Sequence, residues 1–274
     1  GIFMKNIKIW KNTSVLNEFN EELTFTENKQ TADLILLGSR QIDLDEFPNV
    51  KGIFRAGVGR DNVPLLDCER RNIVIQYPSE DTTLCLYEET ANYTVSLVLR
   101  MSYPSPDISV PWEKVYRTSL NKRNALIIGV GNIGSRVKNK LEKLMEVNTY
   151  DVAYNKLDEL EPLIRAANII SLHIPNSSEN NNFFDKERLS WMNDGSILVN
   201  TARANLVSED SLYRELKKGR IKAAFDVFWE EPYEGKLREL YPDQFYMSPH
   251  IASSSKEFFL GCKKDLDTMI KRMQ

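Results

Sequence analysis

Short apolar runs recur along the first eighty residues, separated by polar stretches that suit helices. The runs cover residues 6–10, 33–38, 52–55 and 73–75. Their alternation with helix-competent segments predicts buried strands in an open parallel sheet. A longer amphipathic segment from about Tyr87 to Met101 carries apolar residues three and four apart, which predicts a helix that ends before Pro104.

Three prolines, Pro104, Pro106 and Pro111, follow this helix and predict a linker. A second series of apolar runs then begins. It predicts strands at residues 125–129, 148–151, 168–174, 196–200, 223–228 and 244–247, and helices at residues 133–145 and 209–218. The pattern as a whole predicts an α/β fold with two parallel sheets.

Composition narrows the range of partners. With 36 Lys and Arg against 39 Asp and Glu, the net charge is −3, so a nucleic-acid partner is not expected. Cys68, Cys85 and Cys262 are widely spaced and form no zinc motif, which favours reduced thiols and no metal. Without an apolar run of roughly 18 residues or a signal-peptide pattern, we expect a cytoplasmic protein with no membrane partner.

A glycine-rich turn directly follows the first strand of the second series. Gly129, Gly131 and Gly134 form a GxGxxG pattern that opens a predicted helix. Such glycines allow a tight turn, close approach of a pyrophosphate, and close packing of helix on strand. The amides of Asn132 and Ile133 lie at the helix start, where the helix dipole favours an anion. This context predicts a dinucleotide site.

An acidic residue ends the next predicted strand. Asp151 lies 17 residues after Gly134, where a carboxylate accepts hydrogen bonds from the adenosine ribose hydroxyls. A carboxylate repels a 2′-phosphate, and the first basic residue after it is Lys156. The sequence therefore favours NAD over NADP.

Polar side chains follow several strands of the second series. The chain has two histidines, His173 and His250, and both come after predicted strands. Arg203 follows one further strand, and the Glu230-Glu231 pair follows another. Arg can bind a carboxylate with two parallel hydrogen bonds, His can exchange a proton, and Glu can orient the imidazole and stabilise its charged form.

Eight segments, in order along nearly the whole chain, resemble the D-isomer-specific 2-hydroxyacid dehydrogenase family. They are FRAGVGRDNV (54–63), EETANYTVSLVL (88–99), LNKRNALIIGVGNIGSRV (120–137), DVAY (151–154), NIISLHIPNSS (168–178), GSILVNTARANLVSEDSL (195–212), KKGRIKAAFDVFWEEP (217–232) and SPHIASSS (248–255). The resemblance implies two Rossmann-like domains, with the cofactor domain inserted into a flavodoxin-like substrate domain. We expect a substrate domain at 1–86 and 252–274 and an NAD-binding domain at 87–251.

The resemblance also implies roles for individual residues. Arg203 would bind the substrate carboxylate and 2-oxo group, and His250 would exchange the proton. Glu231, which directly precedes Pro232, would be its partner rather than Glu230. The remaining expected contacts are the backbone amides of Val58 and Gly59 with the substrate, and Thr201, Ala202, Asp226, His173 and Pro175 with the cofactor.

The family pattern is not matched everywhere. Ala204 stands where the family usually has Gly, Asn92 where Glu is common, and Arg60 where a small apolar residue is common. The stretches 101–120 and 151–168 are short, and the former often contributes to the subunit interface in this family. A homodimer is nevertheless the expected assembly.

Three functions remain open at this stage. The favoured one is an NAD-dependent dehydrogenase that interconverts a 2-oxo acid and a D-2-hydroxy acid. A second is an NAD(H)-sensing interaction protein similar to the C-terminal binding protein corepressors of the family, and a third is a Rossmann enzyme such as an amino acid dehydrogenase. The substrate is also open: Arg40, Arg55 and Arg60 either reach a distal anion or, as the favoured interpretation, are solvated at the surface.

Overall fold

The structure is a computed structural model that describes residues 6–103, 112 and 114–274; the predicted proline linker lies outside them. The contacts between Cα atoms divide the chain into two compact units. Unit 1 comprises Gly1–Leu86 and Ser254–Gln274, and unit 2 comprises Tyr87–Ser253. The second boundary lies two residues beyond the one expected from the sequence.

The strands of the two units, apart from β2, follow the predicted apolar runs. They are β1 (Lys8–Lys11), β2 (Thr24–Phe25), β3 (Leu34–Leu37), β4 (Gly52–Arg55), β5 (Val74–Gln76), β6 (Asn124–Ile128), β7 (Glu146–Tyr150), β8 (Ile169–Leu172), β9 (Ile197–Asn200), β10 (Lys222–Phe225) and β11 (Phe245–Met247). The helices are α1 (Leu65–Arg70), α2 (Glu80–Ser102), α3 (Asn132–Leu141), α4 (Leu160–Ala166), α5 (Lys186–Trp191), α6 (Glu209–Lys217) and α7 (Lys256–Met273). None of the helices in the described ranges is long and apolar enough to cross a membrane.

Unit 1 contains a five-stranded parallel sheet in the order β2-β1-β3-β4-β5. Strands β3 and β4 are buried along their whole length, which is why their sequences are nearly all apolar. Helix α7 packs closely on β4, since a Cβ atom at Gly52 would lie 2.7 Å from Cε of Met269. The loop after β4 carries Val58 and Gly59.

Unit 2 contains a six-stranded parallel sheet in the order β11-β10-β9-β8-β6-β7. The order in which strands are added to the sheet reverses at β6, because β7 lies on one side of β6 and β8 lies on the other. In open parallel sheets, ligands bind beyond the carboxyl ends of the strands at such a switch point. The glycine turn directly follows β6, so the topology places it there.

Helix α2 begins at Glu80, seven residues before the predicted start at Tyr87. Asp265 of α7 explains the earlier start, because one of its carboxylate oxygens accepts hydrogen bonds from the Ser79 amide and the Thr82 hydroxyl, both at 2.8 Å. The bond to the Ser79 amide satisfies a backbone donor at the helix start that has no partner within the helix. The partner is distant in the chain, so the local pattern does not reveal it.

Candidate active site

The three glycines of the turn have different surroundings. Gly129 has a φ of +91°, and a Cβ atom there would lie 2.4 Å from the His173 carbonyl oxygen. A Cβ atom at Gly134 would lie 1.8 Å from the Gly129 carbonyl oxygen, so neither position admits a side chain. At Gly131 a Cβ atom would have no neighbour within 4 Å, so this position borders open space. The turn thus combines two close packing contacts with one open face.

The open face lies at the start of α3. Its N-cap residue, Gly131, has no side chain that could accept hydrogen bonds from the first amides of the helix. Amides at a helix start, together with the helix dipole, favour an anion. The donor groups of Asn132 and Ile133 therefore suit the pyrophosphate of a dinucleotide, as the sequence predicts.

Asp151 follows β7 and directly braces the glycine turn. Its Oδ2 accepts a hydrogen bond from the Val130 amide at 2.9 Å, and its Oδ1 accepts one from the Ala153 amide at 2.9 Å. Each carboxylate oxygen has more than one lone pair, so both can accept a further ribose hydroxyl. The sequence analysis identified this carboxylate but missed its structural role in the turn.

His173 supports the same turn from β8. Its backbone amide donates to the Ile128 carbonyl at 2.7 Å, and its Nε2 lies 2.7 Å from the Ser171 hydroxyl. Burial lowers the pKa of His173 to about 3, so its imidazole is neutral near pH 7 and is not a proton donor there. Pro175, two residues later, is exposed, and its carbonyl accepts from the Asn180 side chain at 2.9 Å.

The turn after β9 is shaped by Asn200, a residue that the sequence analysis missed. Its buried side-chain amide donates to the Arg203 carbonyl at 2.9 Å and accepts from the Ala202 amide at 3.0 Å. Asn at a strand end is typical of such turns, which is the signal that could have identified it.

Two other predicted site residues lie in the same turn. The Thr201 hydroxyl lies 2.8 Å from the Thr94 hydroxyl on α2. The Nη1 atom of Arg203 donates to the Ala202 carbonyl at 2.8 Å.

Glu231 and His250 meet beyond β10 and β11. Nδ1 of His250 lies 3.0 Å and 2.9 Å from the two carboxylate oxygens of Glu231, and both side chains are about two thirds or more buried. The Phe228 amide also donates to Glu231, at 3.2 Å. Glu230, the alternative partner, is exposed. The structure therefore pairs His250 with the glutamate that directly precedes the proline.

The electrostatics of this pair favour an ionised Glu231. Burial alone would raise its pKa, but hydrogen bonds from His250 and Phe228 and the positive charges of His250 and Arg203 together lower it. The carboxylate therefore remains charged to a lower pH than an ordinary glutamate.

Asp226 is fully buried at the end of β10 and bonds to the segment that carries His250. Its Oδ1 accepts from the Ser248 hydroxyl at 2.7 Å and from the Ile251 amide at 2.9 Å; its Oδ2 accepts from the Ala252 amide at 2.9 Å. Burial raises the pKa of Asp226, and these hydrogen bonds and the His250 charge oppose that rise. The predicted contact of Asp226 with the cofactor remains a prediction beside this observed role.

In unit 1, Arg55 holds the loop that carries Val58 and Gly59. Its Nε donates to the Gly59 carbonyl at 2.9 Å, and it is only 4% exposed. The expectation that Arg55 is solvated at the surface is therefore wrong. Arg40 and Arg60 are exposed, and the Arg60 guanidinium lies 4.1 Å from the centre of the Tyr77 ring.

The strand ends of unit 2 thus bring together the functional groups of two kinds of site. One is a helix start and glycine turn suited to a pyrophosphate, with a carboxylate beside it. The other is a hydrogen-bonded carboxylate and imidazole within electrostatic range of an arginine. These groups can bind a dinucleotide, hold an anionic substrate and exchange a proton.

The sequence of the chain is similar to those of known dehydrogenases and reductases. Residues 109–252 match the model of the D-isomer specific 2-hydroxyacid dehydrogenase NAD binding domain. A D-3-phosphoglycerate dehydrogenase of Archaeoglobus fulgidus is 32% identical over 227 residues, which are 76% of this chain and 42% of that protein. A hydroxypyruvate reductase of Thermotoga maritima is 30% identical over 261 residues, which are 89% of this chain and 81% of that protein. The chain therefore spans less than half the length of the former relative.

Solved structures show the same fold. A D-lactate dehydrogenase of Aquifex aeolicus, complexed with NAD and lactic acid, matches with a TM-score of 0.76 and 24% identity, covering 97% of this chain and 95% of that one. A phosphoglycerate oxidoreductase of Vibrio cholerae matches with a TM-score of 0.81 and 19% identity, covering 98% and 99%. With the family model matched over more than half of the residues, and over the segment that carries the glycine turn and the His250-Glu231 pair, the chain belongs to the D-isomer-specific 2-hydroxyacid dehydrogenase family.

Proposed function

We propose that the chain is an NAD-dependent dehydrogenase that interconverts a 2-oxo acid and a D-2-hydroxy acid. The observation that carries this proposal is the bond between His250 and an ionised Glu231, within electrostatic range of Arg203. A proton donor and a cation placed together suit the reduction of a carbonyl beside a carboxylate.

The residues proposed to hold NAD surround the carboxyl end of β6. Gly129 and Gly134 allow the tight turn, Gly131 leaves room for the pyrophosphate, and the amides of Asn132 and Ile133 face it. Asp151 accepts hydrogen bonds from the ribose. Further predicted contacts are those of His173, Pro175, Thr201, Ala202 and Asp226. When bound, the nicotinamide supplies a site that donates or accepts a hydride.

The chain's own chemistry is then substrate binding and proton exchange. Arg203 binds the substrate carboxylate and polarises the 2-oxo group with its planar fork of donors. The imidazolium of His250 donates a proton from Nε2 to the oxygen on C2 during reduction, while Nδ1 stays bonded to Glu231. In the reverse direction the neutral imidazole accepts that proton. Contacts of the Val58 and Gly59 amides with the carboxylate are a prediction from the family resemblance.

The direct test is a panel of small 2-oxo acids supplied with NADH, followed by the loss of nicotinamide absorbance. We expect turnover with at least one member of the panel. NADH binding without turnover on any member would contradict the proposal and favour a nucleotide-sensing interaction protein.

The substrate class remains a small 2-oxo acid within this proposal. Relatives of the chain are named D-3-phosphoglycerate dehydrogenase, hydroxypyruvate reductase and glyoxylate reductase. These names support a compact substrate with a carboxylate beside the reacting carbon. A homodimer is part of the proposal and is tested by the mass of the protein in solution.

We expect Asp151→Ala to narrow the preference for NADH over NADPH. The substitution removes a charged acceptor of ribose hydroxyls, each bond being worth about 1.5 to 3 kcal/mol, and removes repulsion of a 2′-phosphate. Because Asp151 also braces the glycine turn, both dinucleotides should bind more weakly, so the ratio of the two dissociation constants is the measurement. Asp158→Ala, an exposed neighbour, is the control. An unchanged ratio would remove Asp151 from this role.

We expect Glu231→Gln to shift the pH profile of 2-oxo acid reduction. Reduction needs the imidazolium, so the rate falls as pH rises; the charge of Glu231 stabilises the imidazolium and delays this fall. Glutamine keeps the shape of the side chain but lacks its charge, so the fall in kcat/KM should move to lower pH. Glu230→Gln is the matched control, because Glu230 is exposed and adjacent. A profile that moves upward would contradict the pairing.

A further inference from the structure

A network of hydrogen bonds centred on Asp226 holds the backbone on either side of His250. The Ser248 hydroxyl donates to Oδ1 of Asp226 at 2.7 Å. The Tyr93 side chain on α2 is close enough to interact with the Ser248 side chain. Asp226 then accepts from the amides of Ile251 and Ala252.

The backbone of His250 needs such support. Its φ is +55°, in the left-handed region that residues other than glycine rarely adopt. Its amide donates to the Ser248 carbonyl at 2.9 Å, which closes a tight turn. Residues held in this region persist only where the surroundings over-determine the conformation. Asp226 bonds to Ser248, Ile251 and Ala252, and so fixes the turn on both sides of His250.

We propose that Ser248, acting through Asp226 and supported by Tyr93, is a positioning residue that holds the backbone of His250 where its imidazole meets Glu231. This proposal rests on the proposed function, since it assigns the turn a role in proton exchange. The imidazole is thus fixed twice: through the backbone of its turn by Asp226, and through Nδ1 by Glu231.

Several charged and titratable groups surround this network. His250 is within electrostatic range of Asp226 on the β10 side and of Glu231 in the following loop, and the charge of Arg203 acts on Glu231. Tyr93 lies within range of Arg100 and Tyr246. Burial raises the pKa of Tyr93, so its phenol remains a hydrogen-bond donor near neutral pH. The network therefore keeps its polarity across the pH range in which reduction is measured.

The test compares Ser248→Ala with Ser248→Thr, which keeps the hydroxyl. Ser196→Ala is the matched control, because Ser196 is also buried and hydrogen-bonded but precedes the amino end of β9. We expect Ser248→Ala to lower kcat about tenfold, the usual scale for a hydrogen bond to a charged acceptor, with the KM for NADH within about twofold. The fall of the reduction rate at high pH should also move to lower pH, because the imidazole loses its fixed contact with Glu231. Ser248→Thr should restore both.

A second measurement does not depend on turnover. Amide hydrogen exchange at Ile251 and Ala252 should be about tenfold faster in Ser248→Ala than in the parent protein. Tyr93→Phe should have a smaller effect of the same sign, with Tyr213→Phe as its control, and it provides the test if Ser248→Ala does not fold.

The outcomes separate the two proposals. Wild-type pH profile and exchange in Ser248→Ala and Tyr93→Phe would overturn the positioning role while leaving the proposed function intact. A parent protein without turnover on any 2-oxo acid would instead overturn the proposed function, and with it the role in proton exchange. Faster exchange at Ile251 and Ala252 would still identify the network as the support of the turn.

Discussion

Replacing His250 with alanine should abolish most reduction of 2-oxo acids at every pH while NADH binding remains measurable. The imidazole is the proposed proton donor, and loss of a general acid typically lowers the rate by about 10² to 10⁴ fold. The glycine turn and Asp151 lie on other strands of the same sheet, so nucleotide binding does not depend on this side chain. The measurement is kcat for reduction, together with the dissociation constant of NADH from its fluorescence.

A second substitution separates the loss of the imidazole from a change of backbone. Alanine is disfavoured at the φ of +55° observed for His250, so His250→Ala can also relax the turn. Asparagine tolerates the left-handed region better than most residues, so His250→Asn keeps the turn and removes only the imidazole. Both variants should lose turnover to a similar extent. Turnover retained in His250→Asn would show that another group donates the proton.

The sequence predicted the sheets better than the helices. Strands such as β3 consist of buried apolar residues throughout, so their composition alone indicates them. Strand β2 was missed because its two residues, Thr24 and Phe25, are too few to form a pattern. The start of α2 was placed too late, because Asp265, which bonds to Ser79, lies 186 residues away.

The candidate site was predicted as a set of residues but not as a network. The family resemblance pointed to Glu231 because it directly precedes Pro232, and in the structure its carboxylate is hydrogen-bonded to His250. The structural roles of Asp151 and Asp226 were not foreseen, because both carboxylates bond to backbone amides. An amide is present at every residue except proline, so a bond to one leaves no mark on the sequence of the partner segment. The burial of Arg55 was missed for the same reason, since its Nε bonds to a backbone carbonyl.

Replacing Arg203 with lysine should lower kcat/KM for the 2-oxo acid strongly while the affinity for NADH changes little. Lysine keeps the positive charge but cannot form two parallel hydrogen bonds to a carboxylate. Loss of one bond to a charged group costs about 1.5 to 3 kcal/mol, which corresponds to roughly 10 to 160 fold in kcat/KM. The proposed contact with the carboxylate exists already in the ground state, so KM should rise; the same side chain polarises the 2-oxo group in the transition state, so kcat should fall as well.

The pH profile of the variants separates the effect of the Arg203 charge from the effect of its hydrogen-bonding geometry. The positive charge of Arg203 is among the groups that lower the pKa of Glu231, so Arg203→Lys should keep Glu231 ionised and leave the pH profile of reduction in place. Arg203→Gln removes the charge as well as the fork, and should therefore reduce kcat/KM further. Arg165→Lys is the matched control, because Arg165 also bonds a carboxylate, that of Glu161, but on the exposed face of α4. Wild-type kinetics in Arg203→Lys would show that the substrate carboxylate binds elsewhere. A displaced pH profile with unchanged KM in Arg203→Gln would make Arg203 an electrostatic partner of Glu231 rather than a substrate ligand.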